Sequence, residues 1–209
     1  ERSYASIVEA GIRAVKELNE KYGENIFFYF HRYRQWNDSQ GQWMGWERKR
    51  GALVEFNRLL RGDEDTSYYI KEGDLSILPN IKYVITLDAD TQLPREMAKK
   101  LIGIMGHPLN RPVLNEAATL VVDGYGIVQP RIGVSVESAT SSFFALKFSG
   151  QVGIDPYTTA VSDVYQDLFK EGIFTGKGIY DVDIFTKVLD GAIPENAVLS
   201  HDLLEGCYI

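Results

Sequence analysis

A chain of 209 residues, 44% hydrophobic and 24% charged, has the composition of an ordinary globular protein and the length to bury a sizeable core. Its formal net charge of −7 argues against the basic face that non-specific nucleic-acid binding needs. One cysteine, Cys207, excludes an intrachain disulfide and fits a reducing compartment, and no run of about 18 apolar residues marks a membrane span.

Tyr4, Ile7, Val8, Ile12, Val15 and Leu18 recur at three- and four-residue steps and predict a helix with one apolar face. Ile26 to Phe30 is a short apolar run, expected as a buried strand. Arg32 to Glu47 is polar, aromatic and glycine-containing, expected as a long loop, and it holds all three tryptophans, Trp36, Trp43 and Trp46. A helix is expected from Arg48 to Leu60, then a charged connection over Asp63 to Gly73. Tyr83 to Leu87 predicts a second buried strand, followed by a helix with Met97, Leu101, Ile104 and Met105 on its apolar side. Strands are expected around Thr119 to Asp123 and Ile127 to Val136. Helices follow over Thr140 to Phe148, Thr158 to Lys170 and Asp183 to Leu189, with a tight glycine loop at Phe174 to Gly178. Strands alternating with helices predict an α/β fold with a mainly parallel sheet, organised as one domain over residues 1–209.

Three features carry chemistry. The strand at Tyr83 to Leu87 delivers Asp88 and Asp90, one residue apart, to its carboxyl end, the edge where open α/β sheets bind ligands. Two such carboxylates suit a hard divalent cation that keeps positions for phosphate oxygens; the structural alternative is a turn and a helix cap. Ser200-His201-Asp202 follows an apolar pair and offers Asp202 as a general base; its alternative is a helix N-cap. The aromatic segment mixes Tyr33 and the three tryptophans with Arg32, Arg34, Arg48, Lys49 and Arg50, faces for sugar rings or bases beside cations for phosphate. It is expected to line a donor or acceptor cleft with at least one tryptophan exposed. Gly176-Lys177-Gly178 lets backbone approach a ligand closely, but it does not match the phosphate loop G-x-x-x-x-G-K-[ST].

In this order the pieces resemble the processive inverting glycosyltransferases of the GT-A fold. Asp88-Ala89-Asp90 resembles the metal- and donor-binding D-x-D of that family, and Ser200-His201-Asp202 its T-E-D-type segment, with Asp202 at the base position and His201 in place of the glutamate. Gln129-Pro130-Arg131 resembles the strand between them, Phe174 to Gly178 the acceptor loop, and Lys49-Arg50-Gly51 a basic helix start preceding an asparagine, here Asn57. Longer stretches narrow the resemblance to the cyclic β-1,2-glucan synthase family: Phe30-His31-Arg32 through Trp43-Met44-Gly45-Trp46-Glu47-Arg48-Lys49-Arg50-Gly51, Asp88 to Arg95, His107 to Pro112, Asp163 to Phe169, Phe174 to Asp183 and Ser200 to Gly206. The resemblance implies a cytoplasmic glucosyltransferase domain of a bacterial inner-membrane protein, with transmembrane and further catalytic domains elsewhere in the parent chain. It implies UDP-glucose as donor, a growing β-1,2-glucan as acceptor, inversion at the sugar, and Mg²⁺ or Mn²⁺ at Asp88 and Asp90. Lys49 and Arg50 would lie at the donor, and Trp36, Trp43, Trp46, Gly176, Lys177, Gly178 and His201 at the acceptor sugar.

Two strands that precede the first helix in this family, and a Q-x-x-R-W segment beyond the base, are not in the sequence. The domain is therefore expected to be truncated at both ends, with Ile26 to Phe30 left out of the main sheet or its gap filled by a second copy, and without turnover of its own. Two other classes compete. A haloacid-dehalogenase-like phosphatase would use Asp88 as nucleophile, but the threonine of Asp88-Ala89-Asp90-Thr91 falls one place early for D-x-D-x-T, and no G-D-x-x-x-D follows. A non-catalytic sugar- or nucleotide-binding module would use the two aspartates only to shape a loop.

Overall fold

The computed structural model describes residues 2–148, 168–169, 174–198 and 201–209. Most of the helix expected over Thr158 to Lys170, and Ser200 of the base segment, lie outside them. The sequence is expected to form a single domain; its internal contacts gather into two compact units, Glu1–Lys82 with Asp190–Leu199, and Tyr83–Leu189 with Ser200–Ile209.

In the first unit, α1 (Arg2–Tyr22) is the amphipathic helix that the apolar spacing predicts. Its Asn19 side chain accepts from the backbone N–H groups of Ile26 and Phe27 and donates to the Phe27 carbonyl, which fixes the approach to the first strand. That strand, β1, is Tyr29–Arg32, so it starts later than the apolar run. The expected aromatic loop is instead a hairpin, β2 (Gln35–Asn37) against β3 (Gln42–Met44), with Trp36 directly opposite Trp43. Asn37 and Gly41 make its turn: the Gly41 N–H donates to the Asn37 carbonyl and the Asn37 side chain accepts from Gln40 N–H. Next comes α2 (Arg48–Leu60), with the bounds the sequence predicts. Gly51 is required there, because a Cβ at that position would stand 1.9 Å from the Trp46 carbonyl oxygen. β4 (Tyr68–Glu72) lies in the stretch expected as a charged connection, and it pairs antiparallel with β1 from Tyr29↔Glu72 to Arg32↔Tyr68. Segment Ile26 to Phe30 thus leads into a separate two-stranded sheet.

A buried polar cluster ties these elements together. Arg32 Nε is 2.7 Å from Glu55 Oε2, and the same guanidinium donates to the carbonyls of Trp46 and Arg48. Glu55 also accepts from the backbone N–H and hydroxyl of Ser67. Both charges are taken from water, so the pair is held by these added bonds as much as by Coulomb attraction. Tyr68 donates to the Ala52 carbonyl, and burial pushes its phenol up to about 12 from 10.0.

The second unit is built on β5 (Tyr83–Thr86), β8 (Ile127–Val128) and β9 (Gly178–Asp181), ordered β5-β9-β8. Both neighbours of β9 pair with it antiparallel, in the registers Thr86↔Gly178 and Val128↔Ile179. The mainly parallel sheet expected from sequence has no counterpart among the described pairings. The reason is that the glycine loop feeds β9 into the sheet at the end where β5 and β8 leave it, so β5 and β8 run the same way without touching. α3 (Met97–Gly106) covers this sheet: Leu101 and Met105 pack on fully buried Ile179, with Tyr83, Ile85 and Val128 around them. β6 (Val113–Leu114) and β7 (Val121–Asp123) form a small antiparallel pair. The strand expected to reach Val136 stops at Val128, just before Pro130, which has no N–H for a ladder. α4 (Val136–Thr140), capped by Ser135, and α5 (Phe143–Phe148) divide the helix expected at Thr140 to Phe148. α6 (Val182–Leu189) seats Phe185 against Tyr180, and α7 (Asp202–Tyr208) is the last element. No helix among the described residues is long and apolar enough to cross a membrane.

Candidate active site

Asp88 lies two residues beyond the end of β5 and closes a turn in which the Thr91 N–H donates to its carbonyl. It is half-buried, and Asp90, on the same turn, is exposed. The last residue of β5, Thr86, is buried, and its hydroxyl donates to the carbonyl of Gly176 at 3.1 Å. That bond fixes the glycine loop at the strand end. Gln129, just past β8, holds the loop from the other side: its side-chain oxygen accepts from Thr175 N–H at 2.7 Å and from the Thr175 hydroxyl at 2.9 Å. Gly178 must be glycine, since a Cβ there would lie 2.5 Å from the Val128 carbonyl oxygen. Held this way, Lys177 places its ammonium 2.6 Å from Asp88 Oδ2. The fold therefore brings together the D-x-D turn, the Gln129 strand end and Gly176-Lys177-Gly178, three segments far apart in sequence.

The donor set fits the cation that the resemblance implies. Half-buried Asp88 and exposed Asp90 supply only carboxylate oxygens from one turn, the chemistry hard divalent ions take. Lys177 sits on one Asp88 oxygen, so the turn already holds positive charge at that position.

The base segment opens α7. His201 is buried, and its Nδ1 lies 2.8 Å from Oε1 of Glu205, itself only 1% exposed. With Glu205 ionised, Nδ1–H donates to it. Asp202 Oδ1 is 3.8 Å from the same nitrogen, beyond hydrogen-bond reach, and this oxygen is buried without a hydrogen-bond partner among the described residues. Native proteins rarely leave a buried acceptor unmatched, and catalytic groups are a recurrent exception. His201, Asp202 and Glu205 also each bring a ligand atom within 4.8 Å of the others. Glu205 has no role in the sequence reading; its i, i+4 spacing from His201 on a helix was the available signal.

The residues expected at the donor and acceptor from the first unit fall differently. Arg50 is buried, with its guanidinium 2.6 Å from Glu47 Oε2 and donating to the Ile193 carbonyl. Two of its nitrogens thus have buried partners, and its Nε is buried with none among the described residues. Lys49 is half-buried on the same helix. Trp36 and Trp43 are 50% and 63% exposed, ring centroids 6.0 Å apart and edge to face. Trp46 donates from Nε1 to Glu195 Oε1 at 2.8 Å, and Asn37 Nδ2 to Asn196 Oδ1 at 2.8 Å. These bonds fasten the turn at Glu195 and Asn196 to the hairpin and leave a cleft of about 330 Å³ lined by Trp36, Trp46, Asn37, Asp38, Glu195 and Asn196 among others. Pro194-Glu195-Asn196 carried no sign of this beyond an ordinary turn signal, with Asn196 at positive φ.

No protein-family model matches the chain. It is 49% identical over 206 residues to "Cyclic beta-(1,2)-glucan synthase NdvB" of Rhizobium meliloti (strain 1021). That alignment takes in 97% of this chain and spans 7% of the relative's length.

Proposed function

For a chain that is, over nearly all its length, a segment of cyclic β-(1,2)-glucan synthase type, we propose that it carries donor- and base-bearing parts of a glucosyltransferase centre. The observation that carries this reading is the meeting of Lys177 with Asp88 at the end of β5. In the proposed reaction, a hydroxyl of the growing glucan attacks the anomeric carbon of glucose in UDP-glucose. Asp202 takes the hydroxyl proton, the new glycosidic bond forms, and the bond to the diphosphate breaks on the opposite face. Attack from that face inverts an α-linked donor to a β-linked product. Asp202 suits the base because its carboxylate opens the helix and its side chain is 22% exposed, which leaves it reachable by a hydroxyl, while its Oδ1 is buried beside His201.

Asp88 and Asp90 would hold Mg²⁺ or Mn²⁺, which when bound supplies positive charge to the departing diphosphate. Lys177 adds a fixed cation beside Asp88, and Thr86 and Gln129 keep its loop in place. The GT-A fold is part of this proposal; the β5 end with its two carboxylates is what supports it here. Glucan acceptor, membrane spans and further catalytic domains belong to the longer synthase in the same reading.

The test is metal-dependent UDP binding by a full-length synthase carrying this segment. Asp90→Asn is expected to weaken UDP binding more with Mn²⁺ present than without it. Equal UDP affinity in parent and variant, with metal present, would refute the assignment.

A further inference from the structure

The steps proposed above name no residue that holds the glucan beyond its attacking hydroxyl, and the cleft on the hairpin is lined by two of the tryptophans expected at a sugar. Its size, about 330 Å³, is at the small end of ligand clefts, which run roughly 300–1,000 Å³, and suits one or two sugar rings. Its lining decides the ligand's charge. Two carboxylates, Asp38 and Glu195, face it, and among the described residues neither a lysine nor an arginine does. Without a bridging cation or a basic residue such as the Lys177 beside Asp88, a nucleoside diphosphate would be repelled there, whereas a neutral polyol would not.

The polar groups are also arranged for hydroxyls. Asp38 Oδ1 accepts from Trp36 Nε1 at 2.8 Å, and Glu195 Oε1 from Trp46 Nε1 at 2.8 Å. Each indole so orients a carboxylate by one oxygen, and the other oxygen, Oδ2 of Asp38 and Oε2 of Glu195, remains an acceptor for a sugar hydroxyl. The amides of Asn37 and Asn196 join across the cleft and offer further donors and acceptors. Trp36, half in water, gives a flat apolar face of the kind that covers the C–H side of a hexose. Rigidity comes from below: Asn196 N–H donates to Glu47 Oε1 at 2.7 Å, and Glu47 is locked by buried Arg50.

We propose that this cleft is a saccharide subsite that holds a neutral glucosyl unit of the glucan, separate in its residues from the donor-binding turn at Asp88. The choice of a β-1,2-linked glucan rests on the function proposed above; the choice of a neutral sugar over a nucleotide rests on the lining alone.

The chain's three tryptophans all lie in this hairpin segment, so intrinsic fluorescence reports on the site directly. The 209-residue chain is titrated with a β-1,2-linked gluco-oligosaccharide and, separately, with UDP. A saturable emission change is expected with the oligosaccharide and none with UDP. Trp36→Ala and Glu195→Gln, each checked for folding by circular dichroism, are expected to weaken the oligosaccharide at least about tenfold, and Lys99→Ala, on the exposed side of α3, to leave it unchanged. No saturable change with the oligosaccharide, a saturable change with UDP, or parental affinity in Trp36→Ala and Glu195→Gln would overturn the proposal. Loss of transfer in Asp202→Asn is a separate readout, so the subsite and the transferase reading can fail independently.

Discussion

Lys177 Nζ stands 2.6 Å from Asp88 Oδ2, with the two side chains 24% and 34% exposed. A lysine on the glycine loop thus meets a carboxylate at the end of a neighbouring strand, and the half-buried setting makes the contact stronger than an open surface pair. A charge-assisted contact of this kind contributes on the order of 1.5–3 kcal/mol. In a full-length synthase, Lys177→Met is expected to weaken UDP binding about tenfold, roughly 1.4 kcal/mol, while Mn²⁺ alone binds at least as well, since a competing cation has left Asp88. Calorimetry of both ligands checks this, and unchanged UDP affinity would count against a role for Lys177 at the diphosphate.

The pair Arg32–Glu55 should matter to stability and not to sugar transfer. Its side chains are only 10% and 7% exposed, and the pair links β1, the Trp46 carbonyl just past the hairpin and α2. Glu55→Gln leaves the Arg32 charge buried without its counter-charge, at a cost of roughly 3–5 kcal/mol. Urea unfolding of the 209-residue chain should show a loss of unfolding free energy of that size. A shift equivalent to under about 1 kcal/mol would mean that water or other groups already compensate Arg32.

Tyr68 gives the first unit an alkaline limit. Burial raises its folded pKa from 10.0 to about 12, so the folded state holds the phenolic proton more tightly than the unfolded chain. That contribution is complete below pH 10 and is lost as the pH rises through about 12. Tyr68→Phe is expected to flatten the fall in stability across this window, measured by chemical denaturation at a series of pH values. An equally steep fall in the variant would place the alkaline sensitivity elsewhere.

Much of this was legible in the sequence where local signals are strong. The bounds of α2 match the stretch expected as a helix, and Asp88 and Asp90 were placed at a strand end because an apolar run of β-branched residues stops there. The β4 strand was missed because Tyr68, Tyr69 and Ile70 are flanked by charges that resemble a connection, and its partner β1 lies far back in the chain. The hairpin resembled a loop because its strands are three residues each and its inward and outward faces both carry polar groups. The contact of Arg50 with Glu47, one turn back, is not revealed by composition. Lys177 on Asp88, and Glu195 and Asn196 on the hairpin, are tertiary contacts with no local trace.

The central claim is that Asp202 receives the acceptor proton, and one measurement bears on it most directly. Transfer from UDP-glucose by a full-length synthase carrying Asp202→Asn is compared with the parent, alongside UDP binding in both. A positioned general base typically contributes about 10²–10⁴-fold in rate, so transfer should fall by that factor while UDP affinity holds. Transfer at the parental rate by the folded variant would contradict the account.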